Sequence, residues 1–62
     1  MTGTVVEFDA AVGLGVIAAD DDRYPFHCIA ISDGSRDIAI GTEVAFDVLC
    51  KFGRYEAADI RS

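Results

Sequence analysis

Few residues of this chain could do covalent or metal chemistry. The one histidine, His27, is followed by Cys28, and the second cysteine, Cys50, lies far along the chain. A structural zinc site takes a full set of ligands at short spacings, and a His-Cys pair with one distant thiol does not supply them. Both thiols read as reduced, apolar side chains. Nucleophilic catalysis needs a serine or cysteine beside a positioned base, and the chain has no second histidine and no glycine-rich phosphate loop. The 11 carboxylates fall on turns and strand exteriors, where they are expected to be solvated, and the sequence does not indicate the burial that a general-acid pair requires. The sequence therefore predicts no enzyme, no cofactor and no metal. The segment with a recognisable binding chemistry is Lys51-Phe52-Gly53-Arg54-Tyr55, where cations that suit phosphates interleave with rings that suit bases. Its plainer reading is a hairpin with solvated bases and a packed Tyr55.

Short strands must position these groups. Turn residues recur about every eight to twelve residues, the spacing of an all-β chain. Residues 2–8 are rich in Thr and Val and read as a strand. Residues 9–13 read as a turn and 14–19 as a second strand, and Asp20-Asp21-Asp22 as a solvated tip. Residues 23–28 read as a third strand, in which Pro25 lacks an amide donor and confines full hydrogen bonding to one side. Tyr24 and Phe26 alternate with Pro25 and His27 and are expected inside. Residues 29–41 read as a long connection with a helical turn near Ala30. In 42–51, the cleanest strand, Val44, Phe46, Val48 and Cys50 share one face and Glu43, Asp47 and Lys51 the other. Phe52-Gly53 reads as a tight hairpin turn into a last strand at 54–61. Five short strands with a long connection after the third predict a small closed barrel, since closure removes edges that a short chain cannot cover.

Composition bounds the rest. With 62 residues, 1–62 reads as one domain burying about 60% of its unfolded surface. The 52% of hydrophobic residues exceeds what a disordered segment carries. No apolar run approaches the roughly 18 residues that span a bilayer, and Met1-Thr2-Gly3 does not open a signal peptide. The expectation is a cytoplasmic chain with no membrane partner. Net charge is −6, and residues 1–22 contribute five acids and no base. A field of that sign repels phosphate.

Several motifs in order carry a resemblance. Gly3-Thr4-Val5, Phe8, Gly13, Gly15 and Ile17 resemble the opening strand and first ribonucleoprotein motif of the cold-shock domain family. His27-Cys28-Ile29-Ala30-Ile31 looks like the end of the second motif. Gly41-Thr42-Glu43-Val44-Ala45-Phe46-Asp47-Val48 is similar to the family's fourth strand, and Gly53, Ala57 and Ile60 fall at its closing motif. The whole chain resembles a divergent bacterial cold-shock-like protein. The resemblance implies an all-β, five-stranded antiparallel OB-fold barrel that binds single-stranded RNA or DNA, stacking bases on aromatics of the first three strands with lysines beside them. It also implies an apolar core of Val5, Ile17, Ile31, Val44, Phe46, Val48, Ala57 and Ile60.

The binding residues depart from that pattern. Val6 and Val12 stand where the family has lysines, and Glu7 stands where it has a stacking tryptophan. Leu14, Val16 and Pro25 replace phenylalanines, and Cys28 replaces an aromatic. Phe8 and His27 remain of the platform; with Lys51, Phe52 and Arg54 they are the candidate nucleic-acid contacts. Each stacked base is worth about 1–3 kcal/mol, so losing four rings removes roughly 4–12 kcal/mol from a micromolar binding energy of about 8 kcal/mol. Leu and Val return part of that loss. Binding through the family's usual face is therefore expected to be weak. The substituted positions Glu7, Val12, Leu14, Val16, Pro25 and Cys28 suggest an alternative. Leu14, Val16, Pro25 and Cys28 would form an apolar patch ringed by Glu7, Asp9 and the aspartate turn, suited to a protein partner or a homodimer.

Overall fold

The computed structural model describes residues 1–34 and 37–62, apart from the side chain of Lys51. Ser35 and Arg36, which the sequence places in the long connection, lie outside the described residues. Five strands follow one another: β1 (Thr2–Asp9), β2 (Leu14–Ala19), β3 (Asp22–His27), β4 (Glu43–Lys51) and β5 (Arg54–Arg61). One 3-10 turn, η1 (Cys28–Ala30), follows β3. The helical turn expected near Ala30 is this element. Cys28 belongs to it and not to the third strand: its amide still donates to the Gly13 carbonyl at 2.8 Å, extending the ladder by one bond, but its own carbonyl accepts from Ile31 N–H at 3.2 Å and closes the 3-10 turn.

The strands form one antiparallel sheet in the order β3-β2-β1-β4-β5. The sheet curls so that β3 and β5 pack on each other. Backbone pairing does not close it: β3 and β5 are the two ends of the ladder. Proline in the middle of β3 accounts for part of this, since it removes a donor from that strand. The fold is the expected five-stranded antiparallel OB type, but the closure expected of it is not made by backbone pairing and a seam stays open between β3 and β5.

Two β-bulges set which residues face the core. In β1, Val5 pairs with Ile17 but Glu7 pairs with Val16, so β1 carries one extra residue, Val6. The extra residue turns Glu7 outward and brings Phe8 back to the inner face, opposite Gly15. In β5, Ala45 pairs with Arg61 and Asp47 with Ala58, so the extra residue lies in β5. There Asp59 takes φ 50°. Arg61 donates to both the carbonyl and a carboxylate oxygen of Asp59 and holds the bulge.

The core is Val5, Ile17, Ala19, Phe26, Ile31, Val44, Phe46, Ala57 and Ile60, with Phe8, Tyr24, Ala30, Ile38 and Val48 packed against it. Every core residue implied by the resemblance is here, with Val48 at its margin. Phe26 and Tyr24 point inward as expected, and the Tyr24 ring meets Phe46 at 5.5 Å. Cys50 differs: it continues the inner face of β4 but is exposed, as is its pairing partner Tyr55. The β4–β5 hairpin overhangs the core, so its inner face has nothing to bury against. No helix among the described residues is long and apolar enough to cross a membrane.

Candidate nucleic-acid interface

A cleft on the outer side of β1–β3 opens at Gly15, over the inward-facing rings of Phe26 and Phe8. Phe26, opposite Gly15 in the ladder, lays its ring across that glycine, where an added Cβ would lie 2.5 Å from Cζ. Phe8 then stacks on Phe26, with centroids 6.0 Å apart and planes 8° from parallel. One face of Phe8 is thus used up within the protein. The cleft around this pair has a volume of about 550 Å³. Leu14, Val16, Pro25 and Ile40 join the two rings in its wall, and Glu7, Asp9, Glu56 and His27 also line it.

The structure brings together most of the residues singled out in the sequence. Glu7, Phe8, Leu14, Val16, Pro25 and His27 share this cleft. Val12 and Cys28 do not line it. Val12 sits in the β1–β2 turn, whose geometry Asp9 fixes: its carbonyl accepts from Gly13 N–H at 2.7 Å and its Oδ1 from Ala11 N–H at 3.1 Å. Cys28 lies against Gly13, where a Cβ would meet its Sγ at 2.9 Å. The aspartate turn does not line the cleft either. It caps the far end of the β2–β3 hairpin, next to the Ala19–Asp22 pair, whereas the cleft lies toward the Leu14–His27 end. The third rim acid is Glu56 of β5, whose Oε1 is 3.9 Å from His27 Nε2. Neither Glu56 nor Ile40 was legible as a site residue. Each comes from a distant segment that the curl of the sheet brings across.

The charge of this cleft is unfavourable for a phosphate backbone. Three carboxylates line it and no lysine or arginine does. Arg23 lies 3.7 Å from Glu7 in an exposed pair worth less than about 1 kcal/mol. Arg61 is engaged by Asp47, at 3.8 Å, and by Asp59. Among the described residues, Arg54 is in no ion pair.

The hairpin segment is more exposed than a packed hairpin would be. Phe52 and Gly53 both take positive φ, 52° and 78°, the geometry of a two-residue type I′ turn. Phe52 is fully exposed, at 103%, and Tyr55 is 62% exposed, so the expectation of a packed Tyr55 does not hold. His27, Phe52, Arg54 and Glu56 together line one side of the hairpin. The Lys51 side chain lies outside the described residues. Cys28 and Cys50 are free thiols. No group of three or more His, Cys, Asp or Glu side chains able to hold a metal occurs among the described residues.

The strand order, the 3-10 turn after β3 and the long connection before β4 define the cold-shock type of OB fold. A solved structure of Drosophila Unr, CSD456, matches it with TM-score 0.78 over 95% of this chain, at 31% sequence identity. This chain spans 24% of that one. The match is to an insect protein, so it bears on the fold and not on a bacterial origin. No protein-family model matches the chain, and no curated protein does.

Proposed function

We propose that residues 1–62 act as a non-catalytic cold-shock-type domain that binds single-stranded RNA or DNA weakly. The shared fold at 31% identity over nearly the whole chain supports this reading most directly. Phe8, His27, Lys51, Phe52 and Arg54 are the contacts proposed from the sequence. Weakness on the family's usual face follows from the carboxylate rim and from Phe8 being stacked within the protein, and among the described residues two of the three arginines have carboxylate partners. Titration with oligo-dT or oligo-U tests it. The expected dissociation constant near physiological salt is above about 10 μM, falling as salt is lowered, because each released counterion contributes to the affinity. A submicromolar value at that salt would overturn the weak-binding reading, and absence of binding at low salt would overturn the function.

One observation favours a second reading. The outer cleft has an apolar floor and an acidic rim, which suits a protein partner presenting an apolar side chain within a basic surface.

A further inference from the structure

A second cleft, of about 530 Å³, opens on the other side of β3, at the unpaired seam with β5. It exists because the β4–β5 hairpin outruns the core. The inner faces of both strands continue past Phe46 and Ala57 to Val48, Cys50 and Tyr55, and the β3 residues Asp22 to Pro25 border the space without filling it. Tyr24, half-buried against Phe46, and the exposed Tyr55 both line it. Arg23 and Arg54 line this cleft against a single aspartate, Asp22. The outer cleft has three carboxylates and no such cation. Two openings of nearly equal size thus flank one strand and carry opposite charge.

Resting on the nucleic-acid reading above, we propose that the single strand is contacted at this seam and not on the outer face of β1–β3. Tyr55, 62% exposed, offers a ring for a base, and Tyr24 lines the same cleft. Arg54, next to Tyr55 in the chain, lines both this cleft and the opening shared by His27, Phe52 and Glu56, and offers its guanidinium to phosphate. Arg23 joins it by leaving a solvent-exposed partnership with Glu7. Rings alternating with guanidinium groups are what a strand bound without base-specific hydrogen bonds requires. The backbone supplies an independent sign. Phe52 is held at φ 52°, a conformation that bulky side chains avoid. Strain of this kind collects at binding sites.

The experiment is an amide chemical-shift map of the intact chain titrated with oligo-dT at low salt, followed by the affinity of Tyr55→Ala and Arg54→Gln. The expected result is perturbation concentrated at the amides of Arg23, Tyr24 and residues 52–56, with Tyr55→Ala losing about five-fold or more, the lower end of what one stacked base contributes. Perturbation centred on Glu7, Phe8, Leu14 and Val16, or affinities of both variants within about twofold of wild type, would overturn the seam while leaving nucleic-acid binding in place. No perturbation anywhere would overturn both. If Tyr55→Ala fails to fold, the wild-type map alone decides.

Discussion

Gly15 has no room for a side chain. A Cβ there would lie 2.5 and 2.7 Å from the Phe26 ring and 2.8 Å from the Glu7 carbonyl. Gly15→Ala must therefore displace either a packed ring or the backbone of β1. It is expected to cost about 1–3 kcal/mol, the usual range for overpacking. Urea unfolding should show a lower midpoint with an unchanged slope. An unchanged midpoint would mean that the ring moves freely, and the Phe8–Phe26 stack would lose its role as the cleft floor. The sequence marks Gly15 through its motif position but does not reveal what approaches it. Tyr55 and Cys50 show a related limit. Alternation assigns both to the inner face, but it says nothing of how far along the strands the core extends. Their exposure depends on where β3 ends relative to β4 and β5, which no local pattern encodes.

At the scale of elements, the five strands were legible, with bounds shifted by a residue at β1, β3 and β4, but their order in the sheet was not. The bulges were present in the sequence in a form that simple alternation hides. Val5 and Phe8 both face inward although they are three apart, and so do Ala57 and Ile60. An odd spacing between inward residues requires one extra residue in the strand. Closure of the barrel was not legible, because it depends on whether two distant edges meet in register. The β4–β5 turn was placed correctly from Gly53, but its first central residue is unsuited to it. A side chain at positive φ costs about 1–2 kcal/mol, and asparagine tolerates the conformation better. Phe52→Asn should therefore raise stability by about 1 kcal/mol, read as a higher thermal midpoint. A fall in stability would show that Phe52 makes a packing contribution hidden by its exposure.

At the scale of the whole molecule, the −6 charge does not act uniformly. Acids gather on the outer cleft, and the seam carries the two arginines. Association through the outer cleft would then be selective for a basic surface, and a second copy, equally acidic, would be a poor match. Val16→Glu tests this reading. Val16 faces the cleft opposite Glu7, so the added carboxylate should leave the fold intact and abolish association, as read by sedimentation or pull-down from the native host. A wild type that is monomeric and partner-free, or a variant that associates equally well, removes the docking role.

An open ladder leaves two strands with unsatisfied flanks, and β3 is one of them. Pro25, at its middle, has no amide hydrogen to offer an incoming strand. A neighbouring molecule sliding alongside would find the hydrogen-bond row interrupted, and the charges of Asp22 and Arg23 at its start. Pro25 thus discourages the chain from growing, strand upon strand, into fibrils.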